Sequence, residues 1–180
     1  MKIHLSLVAI ILSLMASTTL SAQGNDDVIR TLSQSIRSHK SMEVSFTYQT
    51  IGDTNPSEEA KEGQAFFQDK AYKFILADQH IISDGKTQWN YIIEDEEVMV
   101  GNVTDDDDLF KVLDELERDS SGLTPIIDGK GRLKGLEMEL DEGEKLVLNI
   151  IEMKFDRDYQ EDFFTFDTEA YPDVDVIDMR

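Results

Sequence analysis

The chain has 180 residues, with 38 Asp and Glu against 17 Lys and Arg, a formal net charge of −21 and no cysteine. A surface this acidic repels phosphates, which argues against nucleic acid as a partner and against peripheral docking on anionic lipid. With no disulfide framework and no thiolate nucleophile available, burial alone must hold the fold, and the length suits one core.

At the start of the chain, Lys2 precedes an apolar run from Leu5 to Leu14 that is too short to span a bilayer, followed by Leu20-Ser21-Ala22-Gln23. This is the layout of a cleaved bacterial export signal over residues 1–22, leaving one domain, 23–180, in the periplasm. The motif has the form that precedes lipid attachment, but Gln23 stands where the modifiable cysteine would be. The exported protein is therefore expected to be soluble and not lipidated.

After Asn25-Asp26-Asp27, whose side-chain oxygens can cap a helix, Val28, Ile29, Leu32 and Ile36 share one helical stripe. From Met42 the period changes to two, with Val44, Phe46 and Tyr48 alternating with polar residues as a half-buried strand requires. Ile51 to Lys61 reads as a polar loop. Strand patterns follow at Gly63–Gln68, Tyr72–Ala77, His80–Ser83, Gln88–Ile93 and Glu97–Val100, joined by short turns suited to antiparallel hairpins.

The acidic run Asp105–Asp108 lacks the alternating spacing of a calcium loop, and fits a helix start where carboxylates meet the positive end of the dipole. Behind it Leu109, Val112, Leu113 and Leu116 fall at helical spacing. Strands resume at Leu133–Leu140, Lys145–Phe155 and Phe163–Phe166, with turns at Asp128-Gly129-Lys130-Gly131 and Asp141-Glu142-Gly143, and Val174 and Val176 alternate near the end. In Lys145–Phe155 apolar residues fall on both faces, Leu146, Leu148 and Ile150 on one and Val147, Ile151 and Met153 on the other, so both faces are expected to be covered. The fold class is α+β: one antiparallel sheet with two amphipathic helices to cover a face.

Chemistry-bearing motifs are sparse. Gly85-Lys86-Thr87 resembles the end of a phosphate-binding loop, but His80 holds the place of its first glycine, and a hairpin turn accounts for it. Gly129, Gly131 and Gly135 are wrongly spaced for a dinucleotide fingerprint and read as turn glycines. His39 and His80 belong to no triad or zinc motif. No catalytic role, metal or cofactor is assigned, and an envelope hydrolase is the least supported function. What remains is a run of aromatic residues over successive strands, among them Phe46, Tyr48, Phe66, Phe74, Trp89, Tyr91, Phe164 and Phe166. These fit either an ordinary filled core or a sheet curved around an apolar cavity.

One segment carries a resemblance. Ile81-Ile82-Ser83-Asp84-Gly85-Lys86-Thr87-Gln88-Trp89-Asn90-Tyr91 looks like the signature hairpin of the LolA-like periplasmic outer-membrane lipoprotein carriers. Shorter matches stand in the expected order at Ser45-Phe46-Thr47, Glu62-Gly63-Gln64, Phe164-Thr165-Phe166 and Val174-Asp175-Val176. The resemblance implies an incomplete antiparallel β-barrel whose open side is lidded by helices over an acyl-chain cavity. It places Phe46, Tyr48, Phe66, Phe74, Trp89, Tyr91, Leu148, Ile150, Phe164 and Phe166 in that cavity and Leu109, Val112, Leu113 and Leu116 on the lid, with Ser83, Asp84, Gly85, Lys86 and Thr87 forming the family turn. Where the family carries an arginine that bonds the lid, this chain has Lys70 and Lys73. The implied function is a monomeric, non-enzymatic carrier of acylated lipoproteins or other lipid, receiving cargo from an inner-membrane transporter and passing it to an outer-membrane acceptor. The alternative is an accessory domain that senses lipid or mislocalised lipoprotein.

Overall fold

A computed structural model describes residues 25–52, 59–104, 108–120, 122–130, 132–140 and 143–180. The export signal, Gln23, Asp105–Asp107, Gly131 and Asp141-Glu142 lie outside the described residues, as does most of the loop after Ile51. The described residues form two α-helices and ten strands, in chain order α1 (Asn25–Ser38), β1 (Ser41–Ile51), β2 (Lys61–Gln68), β3 (Ala71–Ile75), β4 (Gln79–Ser83), β5 (Thr87–Ile92), β6 (Glu97–Asn102), α2 (Leu109–Arg118), β7 (Leu123–Ile127), β8 (Leu133–Glu139), β9 (Lys145–Phe155) and β10 (Asp175–Asp178).

The strands form one sheet in the order β10-β6-β5-β4-β3-β2-β1-β9-β8-β7. Its two edges, β10 and β7, do not pair with each other, so the curved sheet is an unclosed half-barrel. Neighbours are antiparallel except β10, which runs parallel to β6 with Val176 opposite Val98. The wholly antiparallel expectation is corrected there. After β9 the chain must recross the sheet to reach the far edge, and it arrives in the direction of β6.

Two further expectations are corrected. Phe163–Phe166 is not a strand: Glu161–Phe164 forms a short 3-10 turn within the crossing segment. Residues Leu123–Ile127, which carry Pro125 and too few apolar alternations to signal a strand, form β7. An edge position tolerates proline because one side of the strand makes no ladder bonds.

A bulge explains the two-faced appearance of β9. The register with β1 runs Phe46 opposite Ile150 and then Ser45 opposite Glu152, leaving Ile151 as the extra residue. The slip returns Met153 and Phe155 to the side of Leu146, Leu148 and Ile150, where they pack on the main core. Ile151 is 59% exposed, so covering of both faces is not what the strand does.

Glycine sets two close approaches inside the sheet. A Cβ on Gly63 would lie 2.5 Å from the Phe46 ring, which crosses the space left by the missing side chain. A Cβ on Gly135 would lie 2.1 Å from the Leu148 carbonyl oxygen, so this glycine belongs to the β8–β9 approach and not to a turn.

Candidate functional site

Both helices present apolar side chains to the same face of the sheet. Val28, Ile29 and Ile36 of α1 and Leu109, Val112 and Leu113 of α2 are buried in one cluster with Phe46, Tyr48, Phe74 and Leu148. Leu116 and Ile150 are half-buried at its margin. Phe46, Phe74 and Leu148 are fully buried, so protein side chains fill the centre of this inner face.

Polar contacts hold the helices in register. The Arg37 guanidinium at the end of α1 donates to Asp114 at 2.5 Å and to the Phe110 carbonyl at 3.2 Å, and it lies 5.1 Å from the Phe110 ring centroid. The Ser33 hydroxyl donates to Glu117. At the other end of α2, Asp108 is the N-cap, accepting from the backbone N–H groups of Phe110 and Lys111. Lys70, in the β2–β3 turn, donates to the same carboxylate at 2.8 Å. The Lys70 hydrogen bond is the main influence holding Asp108 below the usual carboxylate range.

The turn motif abuts this tie. Asp84 Oδ1 accepts from the N–H groups of Lys86 at 2.8 Å and Thr87 at 2.7 Å, and the Ser83 hydroxyl accepts from Gly85 N–H at 3.1 Å. Gly85 has φ 85°, and a Cβ there would lie 3.0 Å from Lys70 Cβ. The left-handed conformation and the close neighbour both favour glycine. The signature turn thus lies against the lysine that holds the start of α2.

Strand alternation divides the ten proposed cavity residues between two faces. Phe46, Tyr48, Phe74, Leu148 and Ile150 are on the inner face with the helices. Tyr91 and Phe166 form a separate cluster with Ile82 and Val98, against which Trp89 packs half-buried. Phe66 is opposite Lys73, which is opposite Ile82, so it shares that outer face. Phe164 lies over the outer side, with its ring 5.1 Å from that of Phe163. The ten therefore lie on two sides of the sheet and do not share one face, because the pairing of β5 with β4 sets Trp89 beside Ile82 on the outer side.

Sequence reading missed the element that covers the outer face. Tyr159 and Phe163 pack on Phe66, and Phe166 and Tyr171 pack on Tyr91, tracing the crossing of residues 156–174 from β2 to β5. The Tyr159 hydroxyl donates to Glu43 at 3.2 Å, and burial pushes its phenol up to about 12. The available signal was the density of Tyr and Phe after residue 158, without strand periodicity.

The geometry defines a helix-covered half-barrel with an apolar inner face. Among solved structures it is similar to a LolA superfamily protein from Nitrosomonas europaea, at 12% identity and a TM-score of 0.43 over 72% of this chain and 91% of that one. It is also similar to an uncharacterized conserved protein from Thermus thermophilus, at 8% identity and a TM-score of 0.47 over 78% and 91%. A third is a DUF1329 family protein from Desulfovibrio piger, at 9% identity and a TM-score of 0.43 over 77% and 94%. No protein-family model matches the sequence, and no curated protein does.

Proposed function

We propose that this protein binds the acyl chains of lipoproteins or other lipid in the periplasm, taking them between its two helices and the inner face of the half-barrel. The observation that carries this reading is the pairing of two amphipathic helices over an apolar face of an unclosed sheet. Burial of Leu109, Val112 and Leu113 contributes about 1.5–3 kcal/mol each, and an acyl chain contributes about 0.8 kcal/mol per buried methylene. A long chain can therefore replace the contacts α2 gives up, whereas a short one cannot. In the finer form of the proposal, the protein carries lipoproteins from an inner-membrane transporter to an outer-membrane acceptor and does no covalent chemistry itself. A triacylated protein cannot cross water unaided, so a carrier must supply the apolar surroundings.

The test is mass spectrometry of what co-purifies with the protein from native periplasm. Acylated lipoprotein or lipid at a defined stoichiometry is the expected result. Protein recovered free of lipid, which also fails to take up a palmitoylated peptide in solution, would end the proposal.

A further inference from the structure

The face opposite the helices carries a separate groove of about 550 Å³, roofed by the crossing segment. Its floor is laid by β3 and β4, where Lys73 lies opposite Ile82 and His80 lies opposite Ile75. Its walls are the aromatic residues Phe163, Phe166 and Tyr171. We propose that this groove binds a small carboxylate with an apolar body, the carboxylate at Lys73 and the body along the aromatic wall.

Three observations point to that chemistry. The volume is within the usual range of small-molecule sites. Lys73 Nζ donates to the Phe163 carbonyl at 3.3 Å and lies 4.7 Å from the Phe163 ring centroid, and among the described residues no carboxylate pairs with it. A half-buried ammonium with donors to spare and no counterion is a site for an anion. Burial lowers the pKa of Lys73, and burial together with the Lys73 charge lowers that of His80, as expected where positive charge lacks a partner.

The acidic groups at the groove are largely engaged elsewhere. Asp158 pairs with Lys40, and Asp167 accepts from the backbone N–H groups of Glu169 and Ala170. Asp162 remains at the rim, exposed. The repulsion of the molecule as a whole is screened beyond about 8 Å at physiological salt, and although these aspartates keep their charge, burial alone sets the direction of the Lys73 shift, so none of them neutralises the ammonium. This site is independent of the inner face: neither Lys73 nor the aromatic wall contributes to the cluster under the helices.

Titration with decanoate, read by calorimetry and by ring and methyl NMR shifts, tests the assignment. Saturable binding is expected, with shifts and ligand contacts at Phe163 and Tyr171 and none at Val112 or Leu113. Lys73→Gln removes the charge while keeping a polar donor, and should weaken decanoate binding about tenfold or more while leaving the weaker binding of neutral decanol unchanged. Lys73→Arg should restore most of the affinity. Absence of saturable binding to the wild type overturns the site, as does undiminished affinity in folded Lys73→Gln. Shifts confined to α2 methyls also overturn it, but support entry of the chain under the helices, so the two proposals fail separately. Should Lys73→Gln not fold, ligand contacts to the Phe163 and Tyr171 rings of the wild type decide.

Discussion

At Asp108 one carboxylate serves the start of α2 and the β2–β3 turn together, capping the helix and accepting from Lys70. Asp108→Ala removes both and should cost about 1–2 kcal/mol in urea unfolding at neutral pH. Asp108→Asn keeps a capping oxygen and should cost less. Because the folded pKa lies below the usual value, the ionised group stabilises the fold fully above about pH 4, and this contribution is lost as pH falls through the folded value. Repeating the titration near pH 3 should therefore narrow the gap between wild type and Asp108→Ala; an unchanged gap would show that the charge does nothing there. Gly135→Ala places a Cβ against the Leu148 carbonyl and should cost about 3 kcal/mol, measured the same way. At this scale the sequence was only partly legible. The left-handed glycine of the Asp84-Gly85 turn announces itself through its neighbours, whereas Gly135 looks like any turn glycine until β9 lies beside it.

Elements were more legible than their pairing. Amphipathic spacing is a local property, so α1 and α2 could be read from Val28, Ile29 and Ile36 and from Leu109, Val112 and Leu113. The bulge at Ile151 could not, because it depends on the register of β1, which is more than 90 residues away in the chain. The β9 pattern read without the bulge puts Met153 on the wrong face. The same dependence hid the parallel pairing of β10 and the fact that Trp89 and Phe46 lie on opposite sides of the sheet. For the helix pair, Arg37→Gln removes the bond to Asp114 and should cost about 0.5–1 kcal/mol in denaturant titration, since both groups are substantially exposed. It should also speed uptake of an acylated peptide by loosening α1 from α2. A loss of stability with no change in uptake rate would mean that the helices do not part there.

For the whole molecule, the half-barrel and its helices followed from alternation and the resemblance, while the division of the aromatic residues did not. A composition rich in Phe and Tyr says that much is buried, not on which side. Export is expected from residues 1–23 alone: the mature protein should begin at or near Gln23 by intact mass, and Gln23→Cys should convert it to a membrane-anchored lipoprotein. Entry of acyl chains between the helices and the inner face can be followed by NMR of methyl-labelled protein. The spectra would follow Val112, Leu113 and Leu148 as peptides bearing palmitoyl or hexanoyl chains are added. Saturable shifts at these three residues, at far lower concentration for palmitoyl than for hexanoyl, are the expected result. Shifts indifferent to chain length, or absent while the folded core stays intact, would rule out acyl-chain binding under the helices.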